Sequence, residues 1–220
     1  MKNYILIALL AIALLPAKAQ KIIEKHLNYT PNGFVSMNFQ ISDSIRIITW
    51  KKNEVYVKSS INVNDNENND DYNMVFDETG GTINIQGKLE TNKMRRRKDS
   101  SNKCCCCWNY DTRIFHEVYI PENADFSVET INGNIIITGN TAEVRAKTIS
   151  GFIDLAIEPN RKAAVKMHTL SGTMYTNIDL KIASQSLRHV GGSVSADLNG
   201  GGKRIDLETI SGNIFFRKEG

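Results

Sequence analysis

All four cysteines of this chain fall in one run, Cys104-Cys105-Cys106-Cys107, directly before Trp108 and shortly after the basic stretch Lys93-Met94-Arg95-Arg96-Arg97-Lys98. Thiols in number suggest metal or disulfide chemistry, yet the spacing suits neither. Zinc ligands ordinarily come as spaced pairs on separate turns, and a bridge between close neighbours closes a small, strained and labile ring. Adjacent cysteines also cannot staple distant parts of a fold. Cys104, Cys105, Cys106 and Cys107 therefore read best as part of a surface loop with incidental or intermolecular thiols, and no metal is assigned. The basic stretch reads as a solvated part of the same loop.

Other chemistry-bearing residues are dispersed. The acidic stretch from Asn64 to Asn73 (NDNENNDDYN) lacks the glycine and terminal glutamate of an EF-hand frame and reads as a solvated turn. His26, His116, His168 and His189 are scattered, and no Ser-His-Asp arrangement can be argued from their order. Nothing in the sequence calls for a cofactor.

The elements that must position these residues are set by a repeat. Five copies of one short pattern follow one another: VETINGNIII, AKTISGFIDL, MHTLSGTMYT, LRHVGGSVSA and LETISGNIFF, centred on Gly133, Gly151, Gly172, Gly192 and Gly212. A fixed period near ~20 residues is the mark of stacked, coiled architectures. Counted from each glycine, positions −7, −5 and −3 and positions +2 and +4 carry the apolar residues and a threonine, with mostly polar residues between. That period of two means strands with one buried face. Position −2 is aliphatic in every copy (Ile131, Ile149, Leu170, Val190, Ile210) and falls out of step, so a bend at Asn/Ser-Gly separates two short strands. The −3 threonines are expected to stack as a hydroxyl ladder.

The predicted fold is all-β, a β-solenoid or parallel β-helix-like stack of ~20-residue, two-strand coils, because equivalent positions are alike from copy to copy. The alternative is an antiparallel β-meander or sandwich. The fourth copy, with His189 and Gly191, is degenerate but keeps the spacing. A weaker copy centres on Gly81, and Phe34–Ile41, Ser44–Thr49, Glu54–Val63 and Ile114–Pro121 read as further strands. No segment carries a helical period.

Residues 1–19 have a basic start, a short apolar run and the small residues Ala17 and Ala19, the pattern of a secretory signal peptide. The run is too short to span a bilayer, which needs ~20 residues. Residues 20–220 then form a single β-repeat domain with a basic, Cys-rich loop insertion at about 92–113. Losing Lys2 and Lys18 from 27 basic residues against 24 acidic ones leaves a net charge of +1. Such a balance gives no global case for nucleic acid or a membrane surface as partner.

The alternating run Val118-Tyr119-Ile120-Pro121 followed by T-[IL]-[SN]-G-x-[IM] repeats resembles the bacterial "putative adhesin" proteins, exported β-strand-repeat domains of unknown function. The resemblance covers roughly residues 35–217 apart from the insertion. It implies a solenoid-like fold, an exported setting (periplasm, cell surface or extracellular) and an adhesive role, and it brings no catalytic or binding residues with it.

Two classes of function follow. The favoured one is a non-enzymatic, adhesin-like binding or scaffold protein whose faces contact an anionic glycan or a surface protein. If the coils stack in order, outward positions −6 and −4 place Arg145, Lys147, Lys166 and Arg188 side by side as a basic ligand-binding stripe. The alternative is a polysaccharide-cleaving enzyme, for which outward Asp154 and Asp197, two coils apart, are the candidate acid/base pair.

Overall fold

The computed structural model describes residues 20–90, 111–187 and 191–219. The signal-like segment, the basic and cysteine runs, and Arg188 to Val190 lie outside them. Among the described residues the only helical element is one 3-10 turn, Asn69–Asp71; no helix is long and apolar enough to cross a membrane. All else is strand and turn, in one mixed, open sheet of fifteen strands.

Two strands carry the architecture. β2 (Phe34–Trp50) and β7 (Asp125–Thr138) run through the bend without interruption, so each joins two limbs of the sheet. Before the bend, β2 and β7 are followed by β8 (Val144–Ser150), β14 (Lys203–Ser211), β10 (Ala163–Ser171), β13 (Gly192–Leu198) and β12 (Lys181–Leu187). In the other limb the order is β1 (Lys21–Asn28), β3 (Glu54–Val63), β6 (Thr112–Pro121), β2, β7, β9 (Ile153–Ile157), β15 (Ile214–Lys218) and β11 (Met174–Thr176). β4 (Tyr72–Thr79) and β5 (Thr82–Leu89) form a hairpin, and β5 lies parallel to the first half of β2. The strand expected at Ile114 begins at Thr112, just inside the span expected for the loop.

Pairing between repeat copies is parallel and in register. Val128 faces Ala146, Ala146 faces Leu207, and Leu207 faces Met167. The predicted inward positions are buried on both limbs: Phe126, Val128, Ile135 and Ile137, Val144, Ala146, Ile153 and Leu155, and Ile205, Leu207, Ile214 and Phe216 belong to one apolar cluster. The −2 aliphatics, by contrast, stand out at the bend. Ile131, Ile149, Ile210 and Leu170 are all exposed on adjacent strands.

Three expectations are corrected. The repeat copies do not lie side by side in chain order, because β14 and β15, the last copy, insert between the second and third. The fourth copy is not a coil. Its strand β13 runs antiparallel to β10 and forms a hairpin-like pair with β12, and its sequence has a Gly-Gly pair and His189 where the others have Asn-Gly or Ser-Gly and a threonine. The copy around Gly81 is a hairpin too. Gly80 and Gly81, at φ 62° and 79°, form the two-residue turn between Thr79 and Thr82, where both central residues must take positive φ.

The bend explains why glycine recurs. A Cβ on Gly151 would lie 2.1 Å from the carbonyl oxygen of Gly133, and one on Gly212 would lie 1.9 Å from that of Gly151. The −3 threonines line this seam, buried, but not as a ladder bonded to itself. Thr148 donates to the Gly133 carbonyl at 3.1 Å, Thr209 to that of Gly151 at 3.1 Å and Thr169 to that of Gly212 at 3.0 Å. Asparagines at +1 extend it, Asn134 accepting from the Phe152 amide and Asn213 from that of Thr173.

Truncating Leu207→Ala should cost about 2–5 kcal/mol as a buried side chain, whereas Glu208→Ala should change stability by less than about 0.5 kcal/mol. Urea unfolding of both variants checks the register, and equal effects would refute it. Gly151→Ala should cost more than about 1 kcal/mol, since both φ (+142°) and space oppose a side chain there. An unchanged unfolding midpoint would refute the close approach.

Candidate functional site

The predicted basic stripe is not assembled as a stripe. Because β14 lies between β8 and β10, Asp206 pairs in register with Arg145 on one side and Lys166 on the other, and Glu208 sits between Lys147 and His168. The outer face of this limb therefore alternates in sign across strands: Ser127, Arg145, Asp206, Lys166 in one row and Glu129, Lys147, Glu208, His168 in the next. Lys147 forms an ion pair with Glu208 at 3.2 Å, both side chains about two-fifths exposed, an arrangement worth at most ~1 kcal/mol. Arg188 lies outside the described residues.

The carboxylates of the enzymatic alternative are also separated. Asp154 on β9 accepts two hydrogen bonds from Arg217, at 2.7 Å from Nε and 3.0 Å from Nη2. That bidentate pair commits the carboxylate to Arg217. Asp197 is on β13, opposite Ala164 and Lys181 in the other limb. The two are not neighbours on one face.

One histidine is buried in the core. His116 on β6 has Nδ1 2.8 Å from the Ser59 hydroxyl and Nε2 3.1 Å from that of Tyr72, and its ring stacks on Phe39 at 4.0 Å. Four strands, β2, β3, β4 and β6, meet through this ring. Burial drives its pKa down to about 3 and that of Tyr72 up, so the imidazole is neutral, with one nitrogen donating and the other accepting. No carboxylate orients it, Ser59 is fully buried, and the group works as a cross-link.

The opposite outer face presents rings. His26 on β1, Tyr56 on β3, Tyr119 on β6 and Trp50 at the end of β2 lie on four successive strands, roughly 14 Å across at the ~4.8 Å strand spacing. Centroids are 4.6 Å apart for His26–Tyr56, 5.9 Å for Tyr56–Tyr119 and 5.2 Å for Trp50–Tyr119. Rings in contact tilt by 25° to 37° from one another, so they lie against each other as one continuous group. Three of the four are anchored by a polar contact. Trp50 Nε1 donates to the Glu54 carbonyl at 2.8 Å, Tyr119 donates to Glu117 at 3.0 Å, and His26 contacts Glu54 at 3.2 Å. Lys52 sits 4.6 Å above the Trp50 ring. The hydrogen bond to Glu117 raises the Tyr119 pKa by stabilising the neutral phenol.

Sequence reasoning missed this group, although a signal existed. Tyr56 lies between inward Val55 and Val57, and Tyr119 between inward Val118 and Ile120, so both were legible as outward aromatics. Their adjacency depends on β3 pairing antiparallel with β6, which crosses the loop insertion and leaves no local trace.

The molecule thus defines an all-β domain with an open, mixed sheet and ring-bearing and charge-alternating outer faces. Its fold is shared with a "putative cell adhesion protein" from Clostridium sporogenes, at a TM-score of 0.54 and 12% identity over 91% of this chain and 100% of the other. A "putative adhesin" from Bacteroides fragilis is similar at a TM-score of 0.34 and 8% identity, over 92% of this chain and 99% of the other. No family profile and no curated protein matches the chain.

The buried histidine predicts an acid sensitivity. An unfolded imidazole takes its proton near 6.5, the folded one only near 3. Between those values the unfolded state binds the extra proton, so stability is full above pH 6.5 and falls as pH drops toward 3. His116→Gln should flatten the slope of urea midpoint against pH in that window, and an unaltered slope would contradict the buried neutral ring.

Proposed function

We propose that this chain is an exported, non-enzymatic, adhesin-like binding domain of the cell envelope or extracellular space, built on a solenoid-like stack of coils, that holds saccharide chains against its aromatic face. The observation that carries the reading is the row His26–Tyr56–Tyr119–Trp50. Four rings on the rigid backbone of a sheet form a surface of the kind that sugars use, because the C–H face of a pyranose stacks on aromatic faces while its hydroxyls need neighbouring polar groups. Glu24, Lys58 and Glu117 supply those groups one step along the same face, in register with one another.

The fold shared with a protein described as a cell adhesion protein supports the class of function, as does the resemblance of the T-[IL]-[SN]-G repeats to an exported adhesin family. The signal-like residues 1–19 support export. Surface proteins are the second class of partner, favoured by the exposed aliphatic row Ile131, Ile149, Ile210 and Leu170, since contiguous exposed apolar residues mark contact surfaces.

Trp50→Ala together with Tyr119→Ala should abolish retention on immobilised oligosaccharides while leaving the melting temperature within a few degrees, because the rings are only half-buried. Glycan-array binding compared with the parent protein checks this. Retention unchanged by the double substitution would overturn the aromatic surface as the binding face.

A further inference from the structure

A cleft of about 540 Å³ opens at the edge of the aromatic row, within the ~300–1,000 Å³ of small-ligand sites. Loops on the far side of the sheet from the glycine seam build it. Tyr29, Pro31 and Asn32 precede β2, Asn53 follows it, Pro121 to Asp125 join β6 to β7, Asn140 to Ala142 join β7 to β8, and Arg161 and Lys162 join β9 to β10. Pro121 pairs with Trp50, so the cleft begins where the rings end.

Its lining is amide-rich and basic. Asn32, Asn53, Asn123 and Asn140 all line it, with the positive groups Arg161, Lys162 and Lys203 and the acidic groups Glu122 and Asp125. Asp125 is committed: its carboxylate pairs with Lys203 at 3.3 Å and accepts the Glu143 amide at 2.8 Å. Arg161 is committed only in part. It donates to the Thr141 hydroxyl through Nη1 and to the Ala142 carbonyl through Nη2, which fixes the guanidinium plane and leaves three of its five donors. Glu158 acts on it through space, but among the described residues no carboxylate comes within ion-pair distance, and burial outweighs Glu158 and pulls the Arg161 pKa down to about 10. A half-buried cation held in one orientation by neutral partners favours an anion arriving from outside.

We propose that this cleft binds the carboxylate of an acidic sugar residue, Arg161 taking the charge and the surrounding asparagines the hydroxyls. The proposal rests on the reading of the aromatic row as a saccharide surface and deepens it. A chain stacked on Trp50 enters the cleft with its acidic unit. The outer-face lysines and arginine of the first limb play no part.

Isothermal titration of residues 20–220 with trigalacturonate and with its fully methyl-esterified, uncharged form tests it. The acid should bind roughly ten- to a hundredfold more tightly, the effect of one or two charge-assisted hydrogen bonds. Arg161→Lys keeps the charge but loses the fork, and should remove most of that preference. Should that variant unfold, Lys162→Glu, on an exposed rim side chain, reverses a charge without touching the anchoring bonds and should do the same. Equal affinity for the two forms, lost in Trp50→Ala, overturns the cleft and keeps the aromatic surface. An acid preference that Trp50→Ala leaves intact supports the cleft and overturns the surface. Binding of neither form overturns both.

Discussion

The fold depends on one close approach. At the bend, the backbone of one repeat copy touches the next where a glycine leaves no room for a Cβ, and the carbonyl there accepts a buried threonine hydroxyl from the neighbouring copy. Hydroxyl and carbonyl satisfy each other at a buried or part-buried seam, where an unmet partner would cost up to ~1–3 kcal/mol. Because β2 and β7 pass through the bend into both limbs, a register fixed at the seam is fixed in both limbs. The inward-facing apolar residues of the parallel repeat copies follow from it, and so do the outward charges between them.

The same seam shows where the repeat ends. On the β2 side no glycine stands opposite Gly133. Ser42 takes its place, with one extra residue in β2 around it, and Thr130 turns back to the Asn132 carbonyl of its own strand. On the other side, β13 runs antiparallel to β10 and stops the parallel stacking. The out-of-order coil is consistent with the charges on its outer face. Asp206 and Glu208 separate Arg145 and Lys147 from Lys166 and His168, whereas stacking in chain order would set like charges on adjacent strands, which is destabilising.

What could be read in advance was whatever repeats locally. Alternation around each glycine gave the buried face of Leu207 and Ile153, and the out-of-step −2 residues gave the bend. Which copy lies beside which leaves no mark in a single copy, because all share the same edges. Hence the expected stripe of Arg145, Lys147, Lys166 and Arg188 depended on an order the chain does not adopt. The hairpin at Gly80-Gly81 was mistaken for a coil because both geometries use glycine between alternating strands. The aromatic row and the cleft come from strands and loops far apart in the chain, so their residues looked like isolated surface positions.

The position of β14 has a consequence for how the molecule comes into being. The chain leaves its site of synthesis from the amino end, so Val144–Ser150 and Ala163–Ser171 are made well before the segment that must slide between them. In the finished sheet both border Lys203–Ser211, and pairings this distant in sequence form slowly. The pairings of greatest separation along this stretch therefore fall in the middle of the sheet, not at its rim. A chain clipped before Lys203 would not lose a dispensable outer strand. It would keep two sticky edges facing each other, open to capture by the same segment of another molecule.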